Sequence, residues 1–269
     1  MTRRIKIGQI GIGHNHGEAK MRSVCKLNDL FEVTGYAEED EKWIAQRGGS
    51  EVYRKLRRLS VAELLEQSDA VLVETDVPRL TEYAKLCADA GKHIHMDKPA
   101  SGSLNDFKEL IDAAREKKLV LQLGYMYRYN PAVQKAMQLA KSGSLGRILS
   151  VDAQMSTFHA KWYKEWLSRF DGGSMYIFGS HLVDIVVSLL GEPDTVASFF
   201  RCTDTDGISF PDNTLAVLGY GAALARIYVS SVEGNGCQFD VLSVENKMIG
   251  KVRVTKLSDQ VAEDAQTCQ

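Results

Sequence analysis

Two short segments of the chain carry residue types suited to moving a proton. In HIHMDKPA, running from His93 to Ala100, Lys98 is followed at once by Pro99, which restricts the backbone of Asp97 and Lys98 and helps hold an ammonium in one place. In GGSMYIFGSHLVD, Gly172 to Asp184, a glycine pair precedes an apolar run holding His181 and, three residues later, Asp184. An imidazole accepts a proton near neutral pH, and residues three apart share a helix face. On residue type alone, an exposed structural lysine and a capping or packed histidine are the commoner readings.

A third segment suits a dinucleotide. GIGHNHG places glycines at 11, 13 and 17 between an apolar run and helix-compatible residues. Glycine lets the backbone turn tightly while a pyrophosphate comes close, and a following helix offers free N–H groups and the positive end of its dipole. The usual G-x-G-x-x-G/A spacing puts a small residue at position 16, where this chain has His16, so Gly17 falls one place late. Glu38 follows the second apolar run and is placed to accept hydrogen bonds from ribose hydroxyls and to repel a 2′-phosphate, which favours NAD over NADP. Its alternative reading is a solvated charge beside Glu39 and Asp40.

These segments need elements to position them. From Ile5 to about Leu123, β-prone runs alternate with amphipathic segments of helical period: IKIGQI, FEVTGYA, AVLVET, KHIHM and LVLQLG, with helices near residues 18–27, 62–67, 80–90 and 104–116. That alternation predicts a parallel, doubly wound α/β domain over residues 1–124. After a linking helix over 131–142 come RILSVDAQMSTF and then several runs joined by short turns, which predict an α/β domain with an open, mainly antiparallel sheet over 125–269. The chain has 269 residues, 44% of them apolar and 25% charged, which suffices for two cores. Thirty-three basic and thirty-five acidic side chains give a formal charge of -2 without a long basic run, so a small molecule rather than a nucleic acid is the expected ligand. Five scattered cysteines (25, 87, 202, 237 and 268) suit reduced thiols in a cytosol. The opening MTRRIKIGQIGIGH is too short and broken an apolar run for an export signal, and no run is long enough to span a membrane. A cytoplasmic location is expected. No metal is expected either: for His159 and for the pairs His14/His16 and His93/His95, the sequence offers no neighbouring Asp, Glu or Cys to complete a ligand set.

Taken in order, the GIG loop, the acidic end of the second strand, DKP after the fourth, GYMYRYNP after the fifth and GG…GSHLVD entering a helix resemble the Gfo/Idh/MocA oxidoreductases from Ile5 to about Lys251. The resemblance implies a Rossmann domain holding NAD, with NADP possible, and a second domain that covers a sugar, polyol or sugar-like substrate and often mediates homo-oligomerisation as a dimer or tetramer. It implies cofactor contacts from Gly11, Ile12, Gly13, His14, Asn15, Glu38, Thr75, Asp97 and Lys98. Lys98 would stabilise charge on the reacting oxygen and His181 would act as acid/base; substrate contacts fall to Tyr125, Arg128, His159 and Asp184. The segment FHAKWYKEW, Phe158 to Trp166, resembles a substrate-facing loop. Two positions depart from the family pattern. Ile177 replaces an aspartate four residues before the histidine, leaving a Lys98–His181 dyad, and Leu80 replaces a histidine after the third strand. A regulatory relative without turnover, or an enzyme using NAD transiently in elimination or isomerisation, are the alternatives. The C-terminus reads as shorter than in many relatives.

Overall fold

The computed structural model describes residues 3–100, 103–234, 236–245 and 248–255. The chain divides into two compact units, Met1–Gly124 and Tyr125–Gln269. The first is built on five parallel strands: β1 (Ile5–Ile10), β2 (Phe31–Ala37), β3 (Ala70–Val73), β4 (His93–Met96) and β5 (Leu121–Leu123), in the order β2-β1-β3-β4-β5. β1 sits between β2 and β3, so the strand order reverses there and a crevice opens at the carboxyl ends. Helices α1 (Gly17–Lys26), α2 (Glu41–Trp43), α3 (Val61–Gln67), α4 (Leu80–Asp89) and α5 (Leu104–Glu116) connect the strands.

Burial follows the sequence pattern. β1 is exposed at Ile5 and Lys6 and buried from Ile7 to Ile10, and three of the four β3 residues are buried, as a parallel sheet covered on both faces requires. Ile7, Ile12, Met21, Tyr36, Tyr53 and Leu72 pack as one apolar cluster. Helices α3 and α5 each begin at a capping box, Ser60 with Glu63 and Ser103 with Asp106.

The second unit carries a six-stranded sheet of β6 (Arg147–Ser156), β7 (Thr195–Arg201), β8 (Asn213–Tyr220), β9 (Ala223–Ser230), β10 (Gly236–Glu245) and β11 (Met248–Thr255), ordered β11-β10-β6-β9-β8-β7. Four neighbouring pairs are antiparallel and one, β6 with β9, is parallel, so the sheet is mixed. Helices α6 (Pro131–Lys141), α7 (Lys161–Leu167) and α8 (Ser180–Leu190) complete the unit, with Val133, Ala136, Leu182, Ile185 and Val186 packed against Val151, Ala153, Ile227 and Val229 of the strands. The predicted loop over FHAKWYKEW is corrected here, because its last six residues belong to α7. β7 is exposed along its whole length. None of the described cysteines is in a disulfide, and Cys268 lies outside the described residues.

Candidate active site

The glycine loop leaves β1 at Gly11, whose φ of +84° is a left-handed value that side chains disfavour; a Cβ there would lie 2.4 Å from the Thr75 backbone nitrogen. At Gly13 a Cβ would lie 2.8 Å from Trp43 Nε1. At Gly17 it would come within 3.2 Å of Gln9, Glu74 and Tyr53, so Gly17 performs the helix-to-sheet packing role of the third glycine despite its late position. α1 starts at Gly17, so its free N–H groups open at the end of this loop. Glu38 is not a solvated charge. Its Oε2 accepts from the Ile12 N–H at 2.8 Å and its Oε1 from the Asp40 N–H at 2.9 Å, which ties the end of β2 to the loop. Arg47 holds the loop from the other side, donating to the carbonyls of Ile12 (3.2 Å) and His14 (2.6 Å) and to Asn15 Oδ1 (2.9 Å).

A cleft of about 70 Å³ lies beside this loop, lined by Gly11, Glu38, Trp43, Thr75, Asp76 and Arg79 among others. Four carboxylates line it, from Glu38, Glu39, Asp40 and Asp76, against one guanidinium, that of Arg79. Arg79 is itself paired with Glu82 at 2.9 Å. The cleft therefore repels an added phosphate and suits unmodified ribose hydroxyls. Trp43 and Arg47 escaped the sequence reading. Asp40, whose side chain accepts from the Lys42 N–H and caps α2, was the local signal for a helix there.

Asp97 and Lys98 follow β4 and are both buried, Lys98 at 4% exposure, so the exposed structural reading of Lys98 is corrected. The Lys98 N–H donates to Asp97 Oδ1 at 2.6 Å, and the Lys98–Pro99 peptide is cis. Around Asp97 lies a polar cluster. Its Oδ2 is 3.2 Å from His14 Nδ1 and 3.0 Å from His16 Nδ1, and it also bonds Lys20 Nζ, which is 2.9 Å from Glu74 Oε1. Burial pushes the His14 imidazole down to about 4, against the pull of Asp97. Burial raises Glu74 well above the usual carboxylate range; it opposes ionisation of Asp97 too, but the surrounding His14, His16 and Lys20 outweigh it and hold Asp97 low. Contrary to the sequence expectation, a carboxylate does accompany His14 and His16, because the fold brings Asp97, the residue after β4, to them. Glu74 and Lys20 were legible in principle: a charge inside the apolar run AVLVET must be paired if buried.

In the second unit His181 lies in the first turn of α8 and is buried at 4% exposure. A π-turn over Met175–Gly179 feeds into it, burying Ile177 at 3%. Tyr125 meets the His181 ring edge-on with centroids 5.7 Å apart, and the Tyr127 ring is 4.7 Å away. Arg128 and Asp184 are brought together as a bidentate pair, with Nε to Oδ2 at 2.7 Å and Nη2 to Oδ1 at 2.5 Å. Asp184 thus has an internal partner as well as any substrate role. His159 stacks on Tyr163 (4.6 Å) and on Phe178 (5.0 Å), whose rings are themselves 6.2 Å apart, and Phe178 belongs to the π-turn that leads to His181. Burial and Lys164 push the His159 imidazole down to about 4.

A parallel sheet with this order, a glycine-turned loop after its first strand and an acidic residue capping that loop define a dinucleotide-binding domain. The chain belongs to the Gfo/Idh/MocA family: residues 5–125 match its oxidoreductase, NAD-binding Rossmann fold domain and residues 133–254 its C-terminal domain. Among curated proteins it is similar to dehydrogenase aclE of Aspergillus oryzae, with 28% identity over 73% of this chain and 57% of that one. It is also similar to the scyllo-inositol 2-dehydrogenase (NADP(+)) IolW of Bacillus subtilis, at 25% identity over 91% of this chain and 68% of that one. The chain thus spans little more than half the length of the first of these relatives. The fold matches the WlbA dehydrogenase from Bordetella pertussis, solved with NADH and UDP-GlcNAcA, with a TM-score of 0.80 and 22% identity over 94% of this chain and 78% of that one. Among the described residues no helix is long and apolar enough to cross a membrane.

Proposed function

We propose that the protein is a cytoplasmic NAD-dependent dehydrogenase or reductase that moves hydride between the nicotinamide and a CH–OH carbon of a sugar, polyol or sugar-like compound. The observation that carries the cofactor half is the Glu38-capped loop beside a cleft whose charged lining is mostly carboxylate. In this reading the Gly11–Asn15 backbone and the α1 N-terminus hold the pyrophosphate, and Glu38 exchanges its backbone hydrogen bonds for the ribose hydroxyls. Bound NAD supplies the hydride acceptor. His181 takes the hydroxyl proton during oxidation and returns it during reduction, and the Lys98 ammonium stabilises charge on the reacting oxygen. Tyr125 and Tyr127 restrict the His181 ring, and the Arg128–Asp184 pair offers groups for hydroxyls at the edge of the substrate.

The relatives support the substrate class, one being named for an inositol and another solved with a nucleotide sugar. A second reading, a cofactor-binding regulator without turnover, is favoured by one observation, the buried Ile177 where many family dehydrogenases carry an aspartate. Nicotinamide absorbance followed across a panel of polyols and keto-sugars separates the two. The dehydrogenase reading expects a change with at least one substrate; tight NADH binding with no change for any of them would turn the reading toward the regulator. We also infer self-association, supported by the bare β7, where Val196, Phe199 and Phe200 are each more than half exposed.

A further inference from the structure

We propose that His14, His16, Glu74 and Asp97 form a site for one divalent transition-metal ion of the zinc, cobalt or manganese kind. The topology delivers these ligands from three adjacent strands. The loop after β1 brings His14 and His16, the residue after β3 is Glu74 and the residue after β4 is Asp97, with Val73 paired to Met96 just before them. Two ligands bound at 2.0–2.2 Å to one ion lie about 3.0–3.5 Å apart. The donor atoms of His14, His16 and Asp97 all lie within 4.8 Å of one another, with His16 Nδ1 to Asp97 Oδ2 at 3.0 Å and His14 Nδ1 to Asp97 Oδ2 at 3.2 Å, and Glu74 Oε2 joins them through His14 Nδ1 at 3.7 Å.

The burial of the set points the same way. Glu74 and Asp97 have no exposure and His14 only 7%, and Glu74 Oε2 has no hydrogen-bond partner. A buried carboxylate oxygen left without a partner is costly, and His14 Nδ1 lies 3.7 Å from it. His95 Nε2, also buried without a partner, lies 4.0 Å from Glu74 Oε1. Two imidazoles and two carboxylates suit zinc, cobalt, nickel or manganese better than calcium or magnesium.

Lys20 is the competing cation. An ion at the four donors displaces Lys20 from Asp97 and leaves it on Glu74 Oε1, the carboxylate oxygen the ion does not use. This inference is independent of the proposed reaction, since it needs no cofactor and no turnover.

The test uses the full chain without an affinity tag, stripped with chelator, titrated with Co²⁺ by ligand-field absorption and with Zn²⁺ by equilibrium dialysis. One ion per chain is expected. His16→Ala, at a half-buried loop position, should weaken binding by more than about tenfold, as loss of a ligand must exceed the loss of an outer partner. His93→Ala should leave it unchanged, and Lys20→Met should tighten it. Absence of binding in the wild type, binding only in Lys20→Met, or wild-type binding that survives His16→Ala would each overturn the proposal. Circular dichroism of each variant confirms that a lost signal is not lost folding, and His16→Gln substitutes if His16→Ala does not fold.

Discussion

In the proposed function, Glu38 is the residue on which cofactor choice turns. Its two oxygens accept from Ile12 and Asp40, and in that proposal they accept from ribose when NAD binds. Hydrogen bonds to a charged acceptor contribute about 1.5–3 kcal/mol each, so Glu38→Ala should weaken NADH binding about ten- to a hundredfold and NADPH binding less, measured by titration of each nucleotide. His159 carries a separate, pH-dependent effect. Its folded value of about 4 lies below the ordinary 6.5, so the stability it contributes is full above 6.5 and is lost as pH falls toward 4. Allowing for its partial exposure, the loss is on the order of 1 kcal/mol; denaturant melts at pH 7 and pH 4.5 should differ less in His159→Phe than in the wild type. At this scale the sequence was readable where a residue acts through its place in a motif, as with Glu38. It was not readable where residues act through contacts made across strands. Lys20, Glu74 and Asp97 are 54 and 23 positions apart along the chain and meet only because β1, β3 and β4 are neighbours.

Among the elements, the loop between β1 and α1 is the most constrained. A methyl at Gly11 meets both a left-handed φ and the Thr75 backbone, neither of which can give way without moving β3. Gly11→Ala should therefore cost more than about 2 kcal/mol and remove NADH binding, read by chemical denaturation and by titration. The first two strands and α5 have the boundaries the periodicity predicts, because alternating burial and the caps state them locally. The two elements missed, α2 with its π-helical extension over Ile44–Gly48 and α7, are short and gain their order from tertiary contacts. Trp43 and Arg47 pack on the glycine loop, and the α7 aromatics Trp162, Tyr163 and Trp166 pack on one another. Helices of three to seven residues are too short to announce themselves by period.

For the whole molecule, ligand binding and self-association make the accessible predictions. NADH at a hundred times its Kd should stabilise the native chain by about 2.7 kcal/mol, visible as a raised thermal midpoint, and the same concentration should stabilise Glu38→Ala by only about 0.4–1.4 kcal/mol. Phe200→Asp on the exposed β7 should lower the mass measured by light scattering toward that of one chain without changing the circular dichroism spectrum. The order of the motifs carried the two-unit organisation, since each motif marks the end of a particular strand. The most direct measurement is the rate of nicotinamide absorbance change at saturating cofactor for the wild type and for His181→Asn, using the best substrate from the panel. The account predicts a signal in the wild type that is at least about a hundredfold slower in the variant, with NADH affinity unchanged. An equal rate in the variant, or no signal in the wild type despite bound NADH, would contradict it.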